Sequence, residues 1–413
     1  MLNHKHFQIV VLMALLTLVS FGFPPAYADV DRDDFPRFHE IFFKILHPET
    51  TAMVAARAGT LDTIMNISEA SADELQNMSW TITPDTTPGR FNAFAPGLKC
   101  WVEDFSSSND TNNFWTLCWL HWNVSAKENA TYHIPGPVAT LHPGEFTSIF
   151  EAEVMMAIMD VGVRANPFSG NLMPWGVYQY IYAPFDGLNP YGQPVNGTVA
   201  TFDLRPGIRW HDGQVADAND VKFSWECIDE HTTFQFPLVS ATYVNSTVET
   251  STRITVWYNG TGQDVFQEYA KSMFWLAPQI YSTFSGNTVG FKAFRPWEVD
   301  YTTHTGNPKP LEYPFLTCLI GVGPYVLHDF DPTAEVIRVD AAGNSFASNF
   351  LREDINFDGI VDITDITEGI RSFGSDPGHE RWANGASDVT CDGIVDITDV
   401  VFIITRFPAI TLP

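Results

Sequence analysis

The chain has little positive charge: 22 Lys and Arg stand against 49 Asp and Glu in 413 residues, a formal net charge of -27. That balance argues against nucleic acid and anionic membrane surfaces as partners. Cysteine is sparse and odd in number, with Cys100, Cys118, Cys227, Cys318 and Cys391. Complete pairing is therefore excluded, and the spacing has no metal-site form. Cys100 with Cys118 is the expected bridge, and Cys391 is expected as a free thiol. Only one long apolar run occurs, Ile9 to Phe23, preceded by Lys5, broken by Ser20 and Gly22, and followed by Pro24-Pro25 and Ala26-Tyr27-Ala28. It reads as a secretory signal peptide over residues 1–28, with no cysteine after the cut to carry a lipid. Motifs for covalent chemistry are missing too: there is no His-Glu-x-x-His, no Gly-x-Ser-x-Gly, no Cys-x-x-Cys and no phosphate-cradling glycine loop. The chain is accordingly not expected to be an enzyme.

Acidic residues are instead concentrated in a repeat. Asp-Gly-Ile-Val-Asp-Ile-Thr-Asp occurs at Asp358 to Asp365 and again, 34 residues on, at Asp392 to Asp399. Extended upstream, each copy is a twelve-residue loop with oxygen-bearing side chains at alternate positions and Gly at the sixth. Calcium takes six to eight oxygens, and a tightly coiled loop of this kind can supply them. The first loop offers Asp354, Asn356, Asp358, the Ile360 carbonyl, Asp362 and Asp365. The second offers Asp388, Thr390, Asp392, the Ile394 carbonyl, Asp396 and Asp399. Thr390 is neutral where the first loop has Asn356, so two ions are expected and the first loop should bind more tightly. Calcium binding should be coupled to folding of the module.

Apolar residues follow each loop at helical spacing: Ile363, Ile366, Ile370 and Phe373, then Ile397, Val400, Ile404 and Phe407. No amphipathic helix precedes either loop, so the expected unit is loop plus exit helix, twice, each stripe buried against the other. In this the segment closely resembles a type I dockerin, the calcium-dependent docking module of secreted assemblies. The resemblance implies a cohesin-like partner. Dockerins usually carry a Ser-Thr type pair at loop positions 10 and 11; here Ile363-Thr364 and Ile397-Thr398 stand there, so the partner need not be a standard cohesin.

Eight Asn-x-Ser/Thr sequons lie at Asn66, Asn77, Asn109, Asn123, Asn129, Asn196, Asn245 and Asn259, all outside the calcium repeat. In an exported chain they point to a glycosylated surface protein. The body, residues 29–340, is large enough for a core in two lobes; residues 341–349 read as a linker and 350–413 as the calcium module.

Within the body, Thr198 to Trp225 reads as strand, turn, strand, turn, helix. Pro206-Gly207 and His211-Asp212-Gly213 supply turns, Asp217 a cap with Asp220 three residues on, and Val221 and Trp225 a buried face. The wording Leu204-Arg205, Gly207, Trp210-His211-Asp212-Gly213 and Asp220-Val221 resembles family 5 extracellular solute-binding proteins, the peptide receptors of ABC importers. Gly321-Val322-Gly323-Pro324-Tyr325 resembles a second family landmark, and Val248 to Tyr258 alternates like the strand between them. Phe42 to Leu46 with Ala55 to Ile64 resembles the family's strand-helix-Ala-Gly-x-x-Asp unit, which usually follows the second landmark and here precedes it. The resemblance implies a two-lobed, periplasmic-binding-protein-like α/β body, rearranged or truncated, followed by a small all-α dockerin-like domain. Either residues before Gly170 rebuild the distal lobe, or the cleft is incomplete.

In the family His211 and Asp212 belong to a structural turn. Tyr178, Tyr180 and Tyr182 fall on one face of a strand, with Val177 and Ile181 on the other; they are the weak candidates for a ligand cleft, against core or interlobe packing. The function implied is a secreted, cell-surface receptor that captures peptides or similar solutes for ABC transporter membrane subunits. The alternative is an assembly protein whose calcium module docks to a cohesin-like partner.

Overall fold

In the computed structural model the described residues are 39–84, 88–95, 129–165, 172–205, 207–231, 242–260, 274–331, 335–342, 355, 360–374, 395–405 and 409–410. The predicted signal peptide, residues 343–349 of the expected linker and the Cys100–Cys118 pair lie outside them, as does Cys391; of the linker's first two residues, Ala341 ends a strand and Ala342 is buried. Cys227 and Cys318 are free and buried. No helix among the described residues is long and apolar enough to cross a membrane.

The first structural layer is a seven-stranded mixed sheet. It uses β1 (Glu40–Ile45), β2 (Thr63–Ser68), β3 (Thr81–Pro84), β4 (Arg90–Phe94) and β5 (Asn129–Ile134), with β12 (Tyr325–Asp331) and β13 (Val336–Ala341) from far along the chain. The order is β12-β13-β1-β5-β2-β4-β3. Alternation along β1 buries Ile41, Phe43 and Ile45, as a strand with one buried face requires. β1 runs parallel to β5 and antiparallel to β13, with Glu40 opposite Asp340. Residues before Gly170 supply five of this sheet's seven strands.

The strand-helix-Ala-Gly-x-x-Asp unit forms as expected. After β1, helix α1 (Glu49–Arg57) buries Ala52, Met53 and Ala56, and Gly59 turns the chain at φ +67, a conformation glycine adopts without strain. Asp62 then ties to β5: its amide donates to the Thr131 carbonyl, and its carboxylate accepts the Thr131 N–H at 2.8 Å. Helix α2 (Glu69–Asn77) is capped by Ser68 and adds Ala72 and Leu75 to a core with Leu61, Ile64 and Trp80.

Glu49 fastens α1 to α2. Burial works against its charge, but hydrogen bonds from Ser71 and Ser68 and the Arg90 guanidinium outweigh that and hold the carboxyl at about 2. Its contribution is complete above the ordinary carboxylate pKa and is lost as pH falls toward 2. Glu49→Gln should therefore flatten the acid limb of the stability curve between about pH 4.5 and 2, measured by denaturant unfolding at stepped pH.

A second, four-stranded antiparallel sheet, ordered β10-β11-β9-β8, is built from β8 (Val177–Leu188), β9 (Pro194–Leu204), β10 (Tyr243–Thr250) and β11 (Arg253–Asn259). Two further short strands, β6 (Val163–Ala165) and β7 (Leu172–Pro174), pair with each other. The stretch Val248 to Tyr258, expected as one strand, is a hairpin instead. Thr250 pairs with Arg253, and the Thr250 hydroxyl accepts the Thr252 N–H, so a polar Thr-Ser-Thr turn interrupts the alternation. Helix α4 (Ala218–His231) packs on this sheet through Val221, Trp225 and Ile228. Its start is capped as the sequence implied: Asp217 Oδ1 accepts the Asn219 and Asp220 amides, and Asp220 Oδ2 accepts the Asp217 amide.

Between the two sheets in sequence comes α3 (Ile149–Ile158), with a capping box between Ser148 and Glu151. Glu151 is buried and accepts the amides of Ala139, Thr140, Thr147 and Ser148, which fixes the chain as it leaves β5. Short helices α5 (Pro278–Tyr281), α6 (Thr288–Ala293) and α7 (Tyr301–Thr305) complete this part.

Candidate functional site

The first landmark ends in a clamp. Buried His211 accepts the Gly321 N–H at Nδ1 (3.2 Å) and donates from Nε2–H to the Gly323 carbonyl (2.9 Å), while its own amide donates to the Gly321 carbonyl. Gly321 and Gly323 must lack a side chain: a Cβ on either would lie 2.1 Å or 2.5 Å from the Ile158 carbonyl at the end of α3. The Gly323 amide caps that carbonyl at 3.0 Å. Three remote segments thus meet: the Trp210-His211-Asp212-Gly213 turn, the Gly-x-Gly-Pro-Tyr loop and the C-terminus of α3. Asp212 is equally committed, accepting from Tyr301 at 2.7 Å and from Gln214 and Gln279 at 2.9 Å. Trp210 donates its indole N–H to Asp220. Both imidazole nitrogens of His211 and the Asp212 carboxylate are engaged in holding the turn.

Two further histidines, unmarked by any sequence motif, repeat the clamp. His133 accepts the Met65 amide and donates to the Leu46 carbonyl; His142 accepts the Gly144 amide and donates to the Phe291 carbonyl. Burial pushes all three imidazoles down to about 4, and each is neutral with its proton on Nε2. Protonation would destroy the Nδ1 acceptor. The unfolded chain, with histidines near their ordinary 6.5, binds more protons between about pH 6.5 and 4, so stability falls on acidification through that window. Each histidine contributes a slope of up to about 1.4 kcal/mol per pH unit. Melting temperatures at pH 7.5, 5.5 and 4.5 should fall in that order, and His211→Asn should shallow the trend.

The tyrosine strand forms, but not as a buried wall. β8 is the edge of its sheet and, beyond Val177, runs out into solvent: Tyr182 is 39% exposed and Ile181 60%. Tyr182 on the tyrosine face and Ile181 on the opposite face are both exposed, beyond a register irregularity between Val177 and Gln179. Tyr180 is half-buried, and the Tyr178 side chain lies outside the described residues. The hairpin's far end borders an open depression of about 470 Å³ lined by Asp186, Leu188, Pro194, Asn196 and Asn259.

Of the loop ligands, Asp354, Asn356, Asp358, Asp388, Thr390, Asp392 and Ile394 lie outside the described residues. The remainder show the duplication in atomic detail. In the first copy the Thr364 amide donates to Asp362 Oδ1 at 2.6 Å and the Asp362 amide to Asp365 Oδ2 at 2.8 Å. In the second, Thr398 to Asp396 and Asp396 to Asp399 repeat the same two distances. Asp365 and Asp399 are fully buried. Asp365 also accepts the Ile355 amide at 2.7 Å.

Helices α8 (Ile363–Ser372) and α9 (Ile397–Thr405) pack together through Ile366, Gly369, Val400 and Ile403. The stripe is rotated from the sequence expectation: Ile363 and Ile397 are 55% and 47% exposed. Gly369 is the cause, since Ile403 approaches so closely that a Cβ there would sit 3.0 Å from its Cδ1, drawing the contact toward the glycine side. Nor is the segment wholly helical. Strand β14 (Ile360–Val361) pairs with β15 (Ala409–Ile410), while the Gly374 amide after α8 donates to Val395 in the second loop. Each exit helix therefore returns its tail to the other copy's loop.

Among the described residues no three acidic, histidine or cysteine side chains converge on one point. The donor set, carboxylate and carbonyl oxygen without nitrogen or sulfur, fits a hard divalent cation such as calcium. Asp362, Asp365, Asp396 and Asp399 would contribute oxygens, each with lone pairs beyond those engaged by amides.

Residues 192–343 match the sequence model described as bacterial extracellular solute-binding proteins, family 5 Middle. The matched residues span β9 to β13 and contain both the His211 turn and the glycine loop that it clamps. Similar solved structures include Burkholderia pseudomallei OppA, at 15% identity and TM-score 0.37, aligned over 53% of this chain and 39% of that one. The Bacillus subtilis oligopeptide-binding protein AppA, in complex with a nonapeptide, matches at 13% identity and TM-score 0.35, over 51% of this chain and 36% of that one. Campylobacter jejuni NikZ, in complex with Ni(L-His), matches at 14% identity and TM-score 0.32, over 48% and 32%. The alignments thus span well under half of each of these solved chains. No match was found among curated proteins.

Proposed function

We propose that the chain is an exported receptor that captures peptides or similar small solutes for the membrane subunits of an ABC importer, held at the cell surface by its calcium module. The observation carrying this reading is the family 5 match over residues 192–343, coincident with the His211 clamp on Gly321 and Gly323. Capture needs no covalent step, and His211 and Asp212 are both engaged in the hydrogen bonds of the turn. A receptor of this kind binds by closing two lobes on an extended ligand, with main-chain hydrogen bonds supplying much of the affinity. A peptide at a hundred times its Kd should stabilise the folded chain by about 2.7 kcal/mol. Thermal unfolding against a peptide library tests this; stabilisation by calcium with none from any peptide or metal chelate would remove the receptor reading.

A second reading, an assembly protein that docks through the calcium module, is favoured by the matched geometry of the two Asp pairs. Calcium-dependent capture by a cohesin-like partner, lost in Asp354→Ala with Asp388→Ala, would support it. Capture that persists in chelator would exclude calcium-dependent docking.

A further inference from the structure

Five of the sequons have all three of their residues described, and the fold treats them unequally. Transfer of a glycan requires the asparagine carboxamide and the hydroxyl two residues on to be reached together, so both must lie at the surface. Asn66 fails because Arg90 holds its carboxamide oxygen at 2.6 Å, and the Ser68 hydroxyl is spent on Glu49 at 2.7 Å. Asn129 is exposed, but Ala130 and Thr131 lie inside the sheet between β1 and β2, where Thr131 is tied to Asp62. Asn196 is exposed at the hairpin, yet Thr198 is buried with its hydroxyl on the Gly260 carbonyl, and Gly197 is packed so tightly that a Cβ would lie 2.1 Å from the Tyr258 carbonyl. Asn245 donates its carboxamide N–H to Gln193, and the Thr247 hydroxyl two residues on is engaged with the Tyr191 hydroxyl at 3.1 Å.

Asn77 is different. It ends α2, and Asn77, Met78 and Ser79 are all exposed as the chain turns out of the helix, with Ser79 at φ +66. Among the described residues neither the Asn77 carboxamide nor the Ser79 hydroxyl has a hydrogen-bond partner. We propose that Asn77 accepts an N-linked glycan in the folded protein, while Asn66, Asn129, Asn196 and Asn245 stay unmodified. The donor is an oligosaccharide linked through C1 to a lipid phosphate or pyrophosphate. The Asn77 Nδ2–C1 bond forms as the C1–O bond to phosphate breaks; the lipid phosphate leaves, Nδ2 loses one proton, and nothing is oxidised or reduced.

The test is to incubate the folded full-length chain with an oligosaccharyltransferase and its lipid-linked donor, before and after unfolding in urea followed by dilution. Site occupancy is read by glycopeptide mass spectrometry. In the folded chain Asn77 should be modified faster than the other four by roughly tenfold or more, because each of those needs local opening first. Prior unfolding should erase most of that difference, and Asn77→Gln should leave no fast-modified site among these five. Modification of Asn66, Asn129, Asn196 or Asn245 at the Asn77 rate in the folded chain would overturn the proposal, as would a folded chain left bare at Asn77.

Discussion

Asp365→Ala should unfold the first loop-helix unit and abolish any calcium-dependent stabilisation of residues 350–413. The carboxylate is fully buried and accepts the Ile355 and Asp362 amides, so alanine leaves two N–H donors without their acceptor and removes half of the capping box at the start of α8. Each orphaned donor costs about 1–3 kcal/mol and a lost cap about 1. The expected sum, about 3–7 kcal/mol, exceeds what a small two-helix unit can spare. Asp365→Asn separates the contributions. The amide oxygen still accepts a backbone N–H, so the helix start should survive, while the missing charge should weaken calcium binding. Amide exchange at Thr364 reports the first effect and calcium titration calorimetry the second; equal behaviour of the two variants in both would remove Asp365 from the calcium site.

The second large effect is expected at Gly321. Alanine there sets a Cβ 2.1 Å from the Ile158 carbonyl and 2.8 Å from the Met159 Cα, both backbone atoms that no rotamer change can move aside. Overpacking of this kind typically costs about 1–3 kcal/mol, and separation of the glycine loop from His211 adds the loss of its clamp, for about 3–5 kcal/mol in all. Gly59→Ala is the control: that glycine has φ +67 but nothing within 4 Å, so only left-handed strain of about 1–2 kcal/mol is expected. Chemical denaturation of the two variants should separate them clearly. A Gly321→Ala protein as stable as wild type would mean that α3 and the landmark loop do not meet as described.

Much of this was legible in sequence where a local rule and the tertiary demand agree. The Asp217–Asp220 cap follows from short-range chemistry and the β1-α1-Gly59-Asp62 unit from the family resemblance, while the Asp pairs at the starts of α8 and α9, expected as calcium ligands, also cap those helices. What escaped depends on distant partners. His133 and His142 sit in unremarkable stretches, and only the Leu46 and Phe291 carbonyls, remote in sequence, make them clamps. Ile363 matched the apolar period, yet the space above Gly369 decided which side of α8 faces α9. Tyr182 was a candidate for a cleft or for packing, yet it is exposed, because alternation cannot reveal where a hairpin outgrows its core.

The pairing of β1 with β13 bears on the inverted order of the strand-helix and glycine-loop landmarks. Glu40 and Asp340 are register partners in antiparallel strands, so the body's first and last strands begin and end side by side at one edge of contact. A short linker from residue 342 back to residue 39 would close the body into a ring, and the ring could be reopened in another surface loop without changing a single strand neighbour. Which landmark is synthesised first is then a matter of where the ring is cut. A circular permutant of the body should keep the seven-stranded sheet in either reading order.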